Sequence, residues 1–383
     1  MIRLMVIAGE ASGDLHGGHV LGQLKTLIPD LEAFGTGGPL LAEAGVELYY
    51  RAEEMAVIGF KEVLKNYSFY KSIFDKMVSL LDQRRPDAVF LVDYAGFNLR
   101  FAKEAKKRGI PVVFYVAPQV WAWKKGRIKE MKKVIDHLIV LFPFEVEFFA
   151  QEGILAQCFG HPLLDIVKPT QSRADFCTKM RLDPQKKLVA LLPGSRRNEV
   201  AKHLPVLVEM ANHLAQQLPG VQFVYPLAPT VAYEEVQSIL GQVHAPLALA
   251  QGETYNAVAA ADFAVVASGT ATLETAILET PLLIFYKVAA TTYAIGKYLL
   301  GIKAIGLPNI ILGESLVPEL VQSNTDPKVM ADLVYGYLQD PAAHSVLKAH
   351  LKRLREKLGL PGAYQKTAQT LGQLLLDLQK DKA

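Results

Sequence analysis

Cysteine is almost missing from this chain: Cys158 and Cys177 are the only two in 383 residues. One pair cannot staple a chain of this length, and neither residue stands in a C-x-x-C metal spacing. A reducing cytoplasm fits that usage. His16, His19, His161 and His203 form no metal-ligand spacing either, so no metal is expected. A surplus of one charge is also missing. The 41 Lys and Arg against 38 Asp and Glu give a formal net charge of +3, far from the concentrated basic field of a nucleic-acid binder. No apolar run is long enough to span a bilayer, because the most apolar region, Pro281 to Gly313, is broken by Lys287, Lys297 and Lys303. Met1 to Ala8 lacks the basic start and small-residue cleavage site of a secretory signal. The protein is expected to stay inside the cell and to touch membranes only peripherally.

What is present is an ample core: 51% of residues are hydrophobic and 21% charged, which excludes extended disorder and predicts two domains. Ile2 to Ala8, Ala88 to Val92, Val112 to Val116 and His137 to Leu141 read as buried strands, with helices such as Leu99 to Arg108 between them. This is the rhythm of a parallel sheet covered on both faces. It pauses at Gly160, His161, Pro162 and the polar stretch Lys168 to Ser172, and resumes at Leu188 to Leu192. Val221 to Tyr225, Pro246 to Leu249, Phe263 to Val266 and Leu282 to Tyr286 continue it, and the chain is helical from Pro327 onward. The pattern predicts an α/β fold of two Rossmann-like domains facing across a cleft. Residues 1–167 form the first and 168–360 the second, with a final helix over 361–383 packing back on the first.

In doubly wound sheets ligands meet the strand-to-helix turns, where helix N-termini attract anions. The first turn, Gly9-Glu10-Ala11-Ser12-Gly13-Asp14, is not a G-x-G-x-x-G dinucleotide site. Glu10 and Asp14 would repel a pyrophosphate, whereas carboxylates with Ser12 suit a hydroxyl-rich ligand. Capping of the next helix by Ser12 or Asp14 is an equal alternative. In the second half, Pro193-Gly194-Ser195-Arg196-Arg197-Asn198-Glu199 brings a tight turn and two guanidinium groups to a helix start, which suits a diphosphate. Ser268-Gly269-Thr270-Ala271-Thr272-Leu273-Glu274 is a second such turn, with Glu274 able to hold ribose hydroxyls.

These turns, together with Val116-Ala117-Pro118-Gln119-Val120-Trp121-Ala122-Trp123 and Leu307-Pro308-Asn309, resemble the lipid-A-disaccharide synthases, bacterial glycosyltransferases of the GT-B fold. The similarity spans essentially the whole chain. It implies inverting transfer from UDP-2,3-diacylglucosamine to 2,3-diacylglucosamine 1-phosphate, with UDP released and a β-1,6 disaccharide formed for lipid A. No cofactor is implied, and the sequence has no D-x-D triplet of the kind metal-dependent transferases carry. The resemblance assigns donor binding to Gly194, Ser195, Arg196, Glu199, Ser268, Gly269, Thr270, Ala271, Thr272, Glu274, Tyr286, Lys287 and Asn309. It assigns catalysis to Asp93 or Glu10, because some relatives carry a further acid where this chain has Gly96. Ser12, Asp14, Asn98, Gln119 and Trp121 are expected on the acceptor side. Phe60, Tyr67, Phe69 and Tyr70, mixed with lysines, are expected to meet the cytoplasmic face of the inner membrane, packing against the sheet being the alternative. A homodimer is left open. Two rivals remain: a UDP-N-acetylglucosamine 2-epimerase of the same architecture, and a non-catalytic nucleotide-sugar or lipid binding module.

Overall fold

Short apolar runs ending in turn residues build two wholly parallel sheets in this computed structural model, which describes residues 1–55, 67–118, 125–228, 231–286, 305–321 and 325–381. The chain divides into two compact units. The first comprises Met1–Asp165 and Gly359–Ala383, the second Ile166–Leu358.

The first unit carries seven strands: β1 (Arg3–Ala8), β2 (Glu32–Gly37), β3 (Glu47–Arg51), β4 (Ala88–Val92), β5 (Val112–Tyr115), β6 (His137–Val140) and β7 (Ala156–Cys158). Their order is β3-β2-β1-β4-β5-β6-β7. Winding therefore runs one way from β1 to β3 and the other way from β4 to β7, and the reversal falls between β1 and β4. In β2, Gly35 has φ +151°, and a Cβ there would lie 1.8 Å from the Val6 carbonyl oxygen. Only glycine allows β2 to approach β1 so closely. The second unit carries β8 (Leu188–Leu192), β9 (Gln222–Leu227), β10 (Leu247–Gln251), β11 (Phe263–Ala267), β12 (Leu282–Tyr286) and β13 (Glu319–Val321), ordered β10-β9-β8-β11-β12-β13. Its reversal falls between β8 and β11. The central strands β4, β8 and β11 are buried at every residue, as expected of strands covered on both faces.

The helix Ala363–Lys380 lies in the first unit, against the helix Ala11–Leu27 that follows β1. Ala368, Leu371 and Leu375 are fully buried or nearly so; each buried leucine contributes about 1.5–3 kcal/mol. Asp165 caps this helix by accepting from the Gly362 and Tyr364 backbone N–H groups. The Tyr364 hydroxyl and His16 Nδ1 are hydrogen-bonded at 2.9 Å, and His19 stacks on the Tyr364 ring at 4.7 Å. No helix among the described residues is long and apolar enough to cross a membrane.

His16 and His161 are both buried in the first unit. Burial, with a neighbouring histidine adding repulsion, pushes His16 down to about 4 and His161 down to about 3. Both rings are therefore neutral when folded, while unfolded rings bind protons below about 6.5. Stability present above that pH is lost as pH falls towards the folded values, at up to about 1.4 kcal/mol per pH unit for each ring. His161 Nδ1 accepts from the Leu163 backbone N–H, a bond that an asparagine Oδ1 can keep. The variant His161→Asn is thus expected to lose roughly half of the fall in thermal midpoint seen between about pH 7 and about pH 5. Melting curves of both proteins across that range check it.

Candidate active site

At the reversal in the first unit, the turns after β1 and β4 converge. Asp93 and Tyr94, just past β4, both sit in the left-handed region, with φ +50° and +48°. Val116, just past β5, has φ +65°, a conformation costly for a β-branched residue. Three non-glycine residues in this region line the carboxyl ends of two neighbouring strands. The distortion is held in place by specific contacts. The Asn98 Nδ2 donates to the carbonyls of Asp93 (2.7 Å), Val92 (3.3 Å) and Ile7 (3.4 Å). Tyr94 donates to the Met55 carbonyl at 2.9 Å, and its ring crosses Gly9, where any Cβ would stand 2.4 Å from the ring.

The turned backbone presents the Asp93 carboxylate, whose Oδ2 accepts from the Ser12 hydroxyl at 3.2 Å. Burial raises the Asp93 carboxyl above the usual range, and hydrogen bonds from the Tyr94 backbone and Ser12 oppose this. Glu10 is exposed at the start of the Ala11–Leu27 helix, and its charge helps raise the Tyr94 hydroxyl to about 12, after burial. Ser12, Asp93 and Glu10 thus share one end of the sheet. Gly96 is exposed and open space surrounds it, so a side chain there would meet no steric bar.

Two residues expected on the acceptor side have other work. Asp14 is only 5% exposed and accepts from the backbone N–H groups of Gly38 (2.7 Å), Leu40 (3.1 Å) and Leu41 (3.0 Å). It caps the helix Pro39–Glu43 rather than facing a ligand. Asn98 is fully buried and spends its amide on the carbonyls that shape the Asp93 turn. Gln119 and Trp121 lie outside the described residues.

At the reversal in the second unit, a pocket of about 680 Å³ opens between the turns after β8 and β11. Gly194, Ser195, Arg196, Glu199, Ser268, Gly269, Thr270, Ala271 and Glu274 all line it. Position 194 needs glycine, because its φ is +116° and a Cβ would meet Glu199 Oε2 at 2.7 Å. The turn then opens the long helix Arg197–Gln217, with Arg196 as its N-cap residue. Arg196 Nη1 donates to Glu199 Oε1 at 2.8 Å, yet two thirds of its side chain stays exposed. Gly269 likewise precedes the helix Thr270–Ile277. Two helix N-termini and one guanidinium thereby give the pocket a positive end. Glu274 accepts from the Tyr255 hydroxyl at 3.1 Å, and burial pushes its carboxyl up.

Thr272, Tyr286 and Asn309 are not among the lining residues, although Tyr286 stands near enough for Glu199 and Arg196 to act on its hydroxyl. Thr272 is buried and donates to the Gly269 carbonyl at 2.7 Å. Tyr286 ends β12, half-buried, with its ring 5.7 Å from that of His203. Asn309, 2% exposed, donates to Glu319 and the Val317 carbonyl and accepts from the Leu316 and Val317 backbone. It braces a loop instead of bordering the pocket. Lys287 and Phe60 lie outside the described residues, as does the side chain of Tyr67. Phe69 is 43% exposed, and Tyr70 is half-buried beside it, on the first turn of the helix Tyr67–Arg84. Sequence reasoning missed Lys168, Thr170, Tyr255 and Asn256, which also line the pocket.

Solved structures share this architecture along nearly the full chain. The S. aureus MnaA-UDP co-structure covers 99% of this chain and 98% of its own, with TM-score 0.65 and 14% identity. MurG of Acinetobacter baumannii covers 97% and 99%, with TM-score 0.58 and 16% identity. The UDP-GlcNAc 2-epimerase of Neisseria meningitidis bound to UDP-GlcNAc covers 98% and 100%, with TM-score 0.60 and 13% identity. At these identities the likeness is one of fold, and it defines a GT-B type protein of two Rossmann-like domains. The sequence profile of the lipid-A-disaccharide synthetase family matches residues 4–370. The lipid-A-disaccharide synthase of Syntrophus aciditrophicus is 42% identical over 366 residues, covering 95% of this chain and 96% of that protein. That of Coxiella burnetii is 39% identical over 372 residues, covering 97% and 98%. The chain belongs to the lipid-A-disaccharide synthase family.

Replacing Asp14 by alanine strands three backbone N–H groups. The expected loss is about 2–4 kcal/mol of stability, read from the denaturant midpoint. A loss of turnover with unchanged stability would instead return Asp14 to the ligand side.

Proposed function

We propose that this chain transfers 2,3-diacylglucosamine from its UDP-linked form to the 6-hydroxyl of 2,3-diacylglucosamine 1-phosphate, inverting the anomeric carbon in a single displacement. The carrying observation is the second-unit pocket, whose lining unites Gly194, Arg196, Ser268, Gly269 and Glu274. Backbone N–H groups at two helix starts and the Arg196 guanidinium suit the diphosphate that departs as UDP. Glu274 suits the ribose hydroxyls.

The acceptor oxygen attacks the anomeric carbon while its proton passes to a base, and the bond to UDP breaks with its electron pair on the phosphate oxygen. Asp93 is the base in this reading. Its raised pKa makes it a better proton acceptor than an exposed carboxylate, and the Ser12 hydroxyl fixes Oδ2. Glu10, in the neighbouring turn, is the second acid available. Both lipids carry acyl chains, so the enzyme works from the cytoplasm against the inner membrane, with exposed Phe69 and its neighbour Tyr70 among the anchoring side chains.

UDP release with both lipids in detergent is the direct test, run beside UDP-N-acetylglucosamine alone. Turnover of the latter without lipid would favour an epimerase, and UDP binding without release would favour a binding module. Asp93→Asn is expected to slow release about a hundred- to ten-thousandfold, and Arg196→Ala at least about a hundredfold. Activity falls as pH drops through the Asp93 pKa, since only the carboxylate accepts a proton. Ser12→Ala removes a hydrogen bond that favours the charged form, so its acid limb moves to higher pH. Wild-type limbs in Ser12→Ala and near-normal rates in Asp93→Asn would remove Asp93 from the base role. Phe69→Ser combined with Tyr70→Ser is expected to weaken sedimentation with anionic vesicles; unchanged sedimentation would acquit that helix.

A further inference from the structure

The nucleotide pocket has a wall that the transfer chemistry leaves unexplained. Lys168 and Thr170 line it, and both belong to the stretch by which the chain enters the second unit at Ile166. One buried side chain ties that stretch down. Asn256, 8% exposed, accepts on Oδ1 from the backbone N–H groups of Thr170 (2.7 Å) and Gln171 (3.2 Å). Its Nδ2 donates to the Thr170 hydroxyl at 3.0 Å and to Glu253 Oε2. A side-chain amide can make four hydrogen bonds, and here all four go to the entry stretch or to the residue that supports it. Glu253 in turn accepts from Gln171 Nε2 at 3.1 Å and from the Lys179 ammonium. Asn256 and Glu253 themselves line the pocket, with Gly252 and Thr254.

The lining has two chemically different parts. The turns after β8 and β11 offer N–H groups and a guanidinium, matched to phosphates. The rest of the lining, with Lys168, Thr170, Tyr255 and the β10 turn, adjoins the first part where the Tyr255 hydroxyl donates to Glu274, and is matched to the base beyond the ribose that Glu274 suits. A diphosphate seated on the first part leaves its nucleoside for the second. Without Asn256, residues 168–171 would have to be ordered by the ligand itself, at an entropic cost that weakens binding.

Resting on the donor reading above, we propose that Asn256 is a positioning residue that makes Lys168–Gln171 a wall for the nucleoside. Occupancy by a nucleoside diphosphate thereby stiffens the stretch that joins the two units. Neither Asn256 nor Thr170 is required by the displacement, so the tie makes a demand that the transfer step does not.

UDP is titrated into the full-length protein by calorimetry, and backbone N–H exchange over residues 168–172 is followed with and without UDP. In the wild type UDP slows that exchange. Asn256→Ala is expected to raise the UDP Kd about tenfold, to speed exchange over 168–172 in the ligand-free protein, and to enlarge the slowing that UDP brings. Asn256→Asp combined with Glu253→Gln swaps amide and carboxylate across the pair, and is expected to bring the Kd back to within about threefold of wild type. This second variant decides the matter if Asn256→Ala does not fold. The proposal is overturned by wild-type UDP affinity in folded Asn256→Ala, by a folded double variant that binds no better than the alanine form, or by exchange over 168–172 that ignores bound UDP. Absence of UDP binding in the wild type is a different result, and it overturns the donor reading itself.

Discussion

Between β1 and β4, and again between β8 and β11, the connecting helices leave on opposite faces of the sheet. No helix can cover the gap at the carboxyl ends of those strands, and the turns that follow them are left open to solvent. The rest of the chemistry depends on this. Ser12 and Asp93 emerge at the first gap; Arg196 and Ser268 emerge at the second. Two parallel sheets wound from one starting strand in both directions create two open crevices before any functional side chain is chosen.

The crevices differ because their turns are built differently. In the first unit the backbone itself is bent into the left-handed region at Asp93 and Tyr94, and Asn98 holds the carbonyls of Val92 and Asp93, with that of Ile7 on β1, so that the bend persists. A carboxylate kept partly from water by such a turn holds its proton more tightly than a surface acid. In the second unit the strain is carried by glycine. Gly194 supplies the positive φ, and the turn that follows brings Ser195 and Arg196 to the pocket. One crevice thus presents a half-buried carboxylate, the other two helix N-termini and a guanidinium.

The central strands were legible because burial on both faces demands unbroken apolar runs, as in Ala88–Val92 and Phe263–Ala267. The strand Glu32–Gly37 was not, because two of its six residues are glycines, Gly35 fitted against β1 and Gly37 against Leu41, rather than chosen for pattern. Ala156–Cys158 and Glu319–Val321, three residues each, are too short to carry a period. The phosphate-suited turns stood out by their residue types. Asp14, Asn98 and Asn309 misled because a carboxylate or amide near a strand end reads alike as ligand or as brace. Only its partners distinguish the two. Tyr255 and Asn256 gave no signal, since nothing in a Glu-Thr-Tyr-Asn run points to a turn sixty residues away, about where Ser195 lies.

The return of Ala363–Lys380 to the first unit makes the second an insertion within it. During synthesis, residues 359–381 emerge from the ribosome only after Ile166–Leu358 has been made. The inserted unit can therefore close its core while the amino-terminal sheet still exposes the apolar flank of Ala11–Leu27 that Leu371 and Leu375 will cover. A premature stop just beyond Leu358 would spare the later-made unit and cripple the one made first.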